Sequence, residues 1–269
     1  MKTIATLTSV ILAVNLVSAQ SLSSGCISTL TSLVANPEFA CLNAQALIPL
    51  ATNPTQSVIT PVNQWLQGMC SQPACTNDVI SAAVSNVTTG CQSDLEAHGL
   101  QTSSSALSLV TPVIQLAYPS VRQIACLQDA NDGNVMCATE LLTDLQDSVG
   151  TLSVDKVIQV ATQVSSSGIS TLPSNVTCSN CVKQAYNIAN KAFPARASQA
   201  SSVLSGQCGA SFVDGAQPSG VVEIASTASA AATSKSAAVG RASLVSSSSI
   251  FGIAATSLVA VFSAFVVLA

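Results

Sequence analysis

Charged residues make up only 7% of this 269-residue chain, aromatic residues 3%, and histidine occurs once. An ordinary soluble domain carries about 25% charge, so this composition fits a secreted, sugar-coated chain better than a cytosolic enzyme. The eight Lys and Arg stand against twelve Asp and Glu, a net charge of −4, and form no run. That removes the electrostatic footprint for nucleic acid or for an anionic membrane surface. The lone imidazole is His98 in "LEAHGLQ", with Glu96 nearby. Without a G-x-S-x-G elbow, an HExxH or a Gly-rich phosphate loop beside it, His98 reads as a surface residue before a helix-ending Gly99. No catalytic residues and no cofactor are expected.

Cysteine is what the chain has in quantity: Cys26, Cys41, Cys70, Cys75, Cys91, Cys126, Cys137, Cys178, Cys181 and Cys208. Upstream of them, "MKTIATLTSVILAVNLVSAQ" has the form of a secretory signal. Lys2 is the positive n-region, Ile4 to Val17 the apolar stretch and Val17-Ser18-Ala19 the small-residue cleavage site, so residues 1–19 are expected to be removed after Ala19. Ten cysteines in such a chain imply up to five disulfides, which stabilise a fold in which charge pairs and aromatic packing are scarce. Zinc is disfavoured as their ligand, since thiols oxidise in this compartment and His98 is the single histidine. Cys178-x-x-Cys181 reads as structural rather than redox-active, because no βαβ pattern surrounds it. Cys126 and Cys137 flank "LQDANDGNVM", whose Asn, Asp and Gly favour a tight turn, so Cys126–Cys137 is the first bridge expected.

Between Gln20 and about Gly215 the apolar spacing is helical. Val58, Ile59, Val62, Trp65, Leu66 and Met69 line one helix face, with Thr60 as a cap and Pro61 at the first helical position. Asn77 precedes a second such run through Val79, Ile80, Ala83, Val84 and Val87. Leu141, Leu142, Leu145 and Val149, then Val182, Ala185, Tyr186 and Ala189, make two more. The expected fold is mainly α: short helices, marginal alone in water, cross-linked by disulfides into a cysteine-rich ectodomain over residues 20–215.

Internal echoes are faint. "SVITPVNQ" (Ser57 to Gln64) returns as "SLVTPVIQ" (Ser108 to Gln115), and Cys70, Cys75 and Cys91 have a counterpart in Cys178, Cys181 and Cys208. The two alignments have different offsets, so a duplicated pair of domains stays an open alternative to one domain.

Two acidic patterns invite a chemical reading. Glu140, Asp144 and Asp147 share one helix face, as a glycosidase's carboxylates would, but the opposite face is apolar and the set reads as the solvated side of an amphipathic helix. Asp129, Asn131 and Glu140 fall at positions one, three and twelve of an EF-hand count, with Gly133 and Asn134 wrong at five and six, so no calcium site is expected.

Asn86-Val-Thr88 and Asn175-Val-Thr177 are N-glycosylation sequons, and proline excludes Asn53-Pro54-Thr55. Residues 216–249 are a Ser/Ala-rich, cysteine-free run that reads as a disordered, O-glycosylated stalk. The stretch Ile250 to Ala269 is uncharged, interrupted by Gly252, Thr256, Ser257 and Ser263, and followed by no Lys or Arg. It is long enough to span a bilayer, which makes a single-pass anchor the plain alternative. Small residues Ser236-Ala237-Ala238, a spacer from Val239 to Ser249 and this apolar tail together have the form of a GPI-attachment signal. Ser236 is the expected attachment residue, with Ala237 and Gly240 as rivals, and the tail 250–269 is expected to be removed.

The runs "NQWLQGMCSQPACTNDVISAAVSNVTTGCQSDL", "ACLQDANDGNVMCATELL" and "GQCGASFVDG" resemble a family of fungal secreted proteins with a cysteine-rich ectodomain, a Ser/Ala stalk and a GPI signal. The likeness covers roughly Cys26 to Gly215 and rests on cysteine spacing with a few neighbours. It implies a fungal cell surface or wall, and no catalytic residues come with it. The expected function is therefore that of a non-catalytic, GPI-anchored surface or wall glycoprotein, held to the membrane by its lipid and in contact with wall glycans. The alternative is a helical domain that binds a small apolar ligand such as a lipid or sterol, for which the aliphatic content is the motive.

Overall fold

A computed structural model describes residues 23–97 and 100–225, and in it the chain is mainly α-helical. Six helices come first: α1 (Ser24–Ala35), α2 (Ile48–Thr52), α3 (Ile59–Ser71), α4 (Asn77–Gly90), α5 (Gln92–Ala97) and α6 (Ser104–Ala125). Strands β1 (Leu127–Asp129) and β2 (Val135–Met136) follow, then α7 (Cys137–Val149), α8 (Val154–Ser167), α9 (Ser174–Thr177), α10 (Asn180–Ala192), α11 (Pro194–Cys208) and β3 (Val221–Glu223). Most helices are short, but α6 runs for 22 residues. It carries Pro112 and Pro119 on its exposed side and leaves Leu109, Val113 and Leu116 in solvent.

The helix starts obey capping chemistry with shifted positions. In α4 the cap is Thr76, whose hydroxyl accepts the Val79 amide at 3.3 Å, and Asn77 is the first helical residue. α3 begins at Ile59 rather than after Thr60, which moves Pro61 to the third position. Its missing N–H still costs nothing there, because first-turn amides have no carbonyl partner inside the helix.

The main core surrounds α3. Val62, Trp65, Leu66, Met69 and Cys70 pack on Leu47, Leu50, Val58, Ala125, Cys126, Met136, Leu145, Leu152 and Val154, so residues from both halves of the chain share one core. The indole Nε1 of Trp65 donates to the Leu42 carbonyl at 2.7 Å. Two smaller clusters complete the interior, one of Leu127, Cys137, Cys181 and Val221, the other of Tyr186, Ala197, Leu204 and Phe212.

All ten cysteines are paired: Cys26–Cys91, Cys41–Cys75, Cys70–Cys126, Cys137–Cys181 and Cys178–Cys208. The Cys126–Cys137 bridge expected from the turn does not form. The turn itself does, as an antiparallel β1–β2 hairpin in which Gln128 faces Met136 and Asp129 faces Val135. Cys126 closes α6 and Cys137 opens α7, so both stand outside the paired residues and are aimed by their helix ends. Cys126, Met136 and Ala138 enter the main core, and Leu127 and Cys137 enter the second cluster. Nor does the echo survive. The first triplet bonds outward to Cys126, Cys41 and Cys26, whereas in the second Cys178 bonds Cys208 directly. "SVITPVNQ" starts α3, while "SLVTPVIQ" lies inside α6.

Described structure continues to Ala225, past the boundary expected at residue 215. Strand β3 pairs with β1 in the sheet order β2-β1-β3, with Asp129 facing Val221. Gly220 makes this closure: at φ 83° it gives its carbonyl to the Ala130 amide at 2.7 Å while the Asn131 side chain covers its face. Any side chain there would be strained by φ and would meet Asn131.

A second close approach joins α1 to α4 beside the Cys26–Cys91 bridge, whose Cα atoms are 4.3 Å apart. A methyl on Gly90 would sit 2.5 Å from Thr29 Cβ, and the short, β-branched threonine has no rotamer that clears it. Gly90→Ala is expected to cost about 1–3 kcal/mol by overpacking, read in chemical denaturation with the disulfides intact. Thr29→Gly in the same chain is expected to return most of that loss.

Candidate functional site

Among the described residues, chemically active side chains converge where α7 and α10 meet beside the sheet. Cys137 is the first residue of α7 and Cys181 the second of α10, and their disulfide joins the two helix starts. Glu140, one turn further along α7, leaves the solvated face that its spacing with Asp144 and Asp147 suggested, and of the three only Asp147 is exposed. Glu140 is half-buried, and its Oε2 lies 3.2 Å from Cys181 Sγ. A sulfur already bonded to sulfur carries no hydrogen. The only proton this contact can hold is the one on the Glu140 carboxyl.

Electrostatics favour that proton. Partial burial raises the Glu140 carboxyl above the usual glutamate range, and the negative charges of Asp129, Asp144 and Asp132 raise it further. A carboxyl whose folded pKa is raised contributes its stability below the unfolded value and loses it as pH rises through the folded one. Glu140→Gln is therefore expected to raise stability near neutral pH and to flatten the pH dependence on the acid side, measured by denaturation between pH 4 and 8.

Cys137, Glu140 and Cys181 also place one ligand atom each within 4.8 Å of one another. With both sulfurs spent in the disulfide, the group has a single oxygen donor left and does not hold a metal as it stands. The residues of the EF-hand count are likewise committed elsewhere. Asp129 Oδ1 accepts the Asn131 amide at 2.7 Å, Gly133 and Asn134 take left-handed conformations in the turn, and Glu140 faces the bridge.

The opposite end of the charge spectrum is Arg122, near the C-terminal end of α6. It is buried with 4% of its surface exposed, and it donates to the Met69 carbonyl at 2.8 Å and to the Gln72 carbonyl at 2.5 Å. It thus caps the C-terminus of α3, where cations are stabilised by the helix dipole. Composition alone gave no sign of this role; only the position of Arg122 in the last turn of a helix otherwise free of charge pointed to it.

Two open depressions mark the surface near α5, about 450 Å³ lined by Ser23, Gly25, Thr89, Gly90, Gln92, Ser93 and Glu96, and about 380 Å³ lined by Glu96, Leu100, Gln101, Thr102 and Ser103. Neither is an enclosed apolar cavity. Beside the first, Asp94 accepts the Ser23 amide at 2.8 Å and its hydroxyl at 2.6 Å, contacts that hold its carboxyl below the usual aspartate range.

Both sequon asparagines are at the surface, Asn86 within α4 and Asn175 within α9. Ala19, His98, Ser236 and the tail 250–269 lie outside the described residues. Comparison with protein-family models, curated proteins and solved structures finds no match to this chain.

Proposed function

We propose that this chain is a non-catalytic glycoprotein of the outer cell surface or cell wall, tethered by a lipid and serving a structural or adhesive role. The observation that carries the reading is the pairing of all ten cysteines within about two hundred residues. Such density belongs to compartments where disulfides persist. It is supported by the signal-like N-terminal segment, by the surface positions of Asn86 and Asn175, and by the Ser/Ala run that follows Ala225 and leads to Ser236. The resemblance to fungal wall proteins supplies the setting, in which a rigid cross-linked head is presented on a stalk. The apolar-ligand alternative has no enclosed site among the depressions described above.

Expression of the full chain in a secretory host tests the reading. Asn86→Gln and Asn175→Gln are each expected to remove one glycan, seen as a gel shift that glycosidase treatment abolishes. Phosphatidylinositol-specific phospholipase is expected to release the protein from intact cells. Retention after that treatment together with an unglycosylated chain would overturn the proposal.

A further inference from the structure

Among the described residues, Glu140 is the ionisable side chain that touches a disulfide sulfur, and this goes beyond a structural role for the bridge it touches. We propose that Cys137–Cys181 is an exchangeable disulfide, opened by a small neutral or cationic thiol, with Glu140 delivering its proton to the departing sulfur of Cys181.

The incoming thiolate forms a bond to Cys137 Sγ; the Cys137–Cys181 bond breaks and its electron pair goes to Cys181 Sγ. The Glu140 proton moves to that sulfur across the 3.2 Å contact. The products are a mixed disulfide on Cys137, a Cys181 thiol and a Glu140 carboxylate. A second equivalent of the same thiol then attacks the external sulfur, and Cys137 leaves as a thiolate. It does so at the first position of α7, whose opening amides have no side-chain cap, the setting that stabilises a thiolate. Protonating a leaving sulfur, or lowering its pKa, is what speeds exchange.

The surrounding charges define the thiol. Asp129 on β1, Asp132 in the turn and Asp144 on α7 face Glu140 and give the site a negative field. Among the described residues, no cation beside it offsets that field. Lys183 of α10 binds Asp214 at 3.0 Å and the Ser211 carbonyl at 2.6 Å, and Arg122 of α6 is committed to Met69 and Gln72. Strand β3 adds only the exposed Glu223, and α9 has no charged residue. An anionic thiol such as glutathione is repelled; cysteamine is attracted.

The test uses the full chain with all five bridges formed. It is exposed to limiting cysteamine or glutathione between pH 5 and 8, quenched by alkylation and mapped by peptide mass spectrometry. Cys137 and Cys181 are expected to be labelled first, although only 5% and 3% of their surfaces are exposed and Cys178–Cys208 is the more accessible pair. Cysteamine is expected to be the faster reagent, and the rate per thiolate should fall as pH rises and Glu140 ionises. Glu140→Gln, which preserves shape and removes the proton, is expected to slow opening about tenfold or more. Labelling led by Cys178–Cys208 or Cys41–Cys75 in the unmutated protein would overturn the proposal, as would a thiolate-corrected rate that ignores pH.

Discussion

Replacing Arg122 with alanine is expected to cost about 3 kcal/mol, a fall in Tm of roughly 10 °C for a domain of this size. The guanidinium is buried and meets the Met69 and Gln72 carbonyls at the end of α3. Removing it leaves the Met69 carbonyl with the Gln72 amide alone, at 3.3 Å, and opens a cavity beside it; a buried acceptor short of a partner costs about 1–3 kcal/mol. Arg122→Lys keeps the charge but has one nitrogen for two carbonyls, and should recover part of the loss. Thermal denaturation of the three proteins with disulfides intact measures the series. Equal stability of Arg122→Ala and the unmutated protein would show that the buried cation does not cap α3.

The larger effect is expected from Cys70→Ala with Cys126→Ala. This bridge is fully buried, joins α3 to the end of α6 and closes a sequence separation of 56 residues. Loop-closure entropy assigns such a cross-link about 4 kcal/mol, to which two small cavities in the main core add further cost. Because Cys70 and Cys126 sit among Leu66, Met69 and Met136, the damage falls on the cluster that unites both halves of the chain. The double variant is expected to lose cooperative unfolding or to fail secretion. The matching change at Cys41 and Cys75 is expected to be milder, since that bridge closes a separation of 34 residues and lies outside the main core.

These sites were unequally legible in the sequence. The helical face of α3 was readable residue by residue, because burial at a 3.6-residue period leaves a direct trace in the apolar pattern. The state of the cysteines was readable too, from their even count behind a signal-like N-terminal segment. Their partners were not. Spacing showed that a turn separates Cys126 from Cys137, yet the helix ends that carry the two cysteines aim them into different clusters, which spacing within the turn does not encode. Strand β3 escaped notice because its three residues form no alternating run and gain their hydrogen bonds from β1, more than ninety positions upstream. Glu140 shared a face with Asp144 and Asp147 by count alone; its turn toward Cys181 depends on α10, which the spacing within α7 does not encode.

Peptide mass spectrometry of the mature protein taken from the surface of the cells that make it tests the central claim most directly. The expected result is a chain that begins at Gln20, carries glycans on Asn86 and Asn175, contains no free thiol and ends in a glycolipid remnant at or beside Ser236. An intact tail peptide containing Phe262 would contradict it.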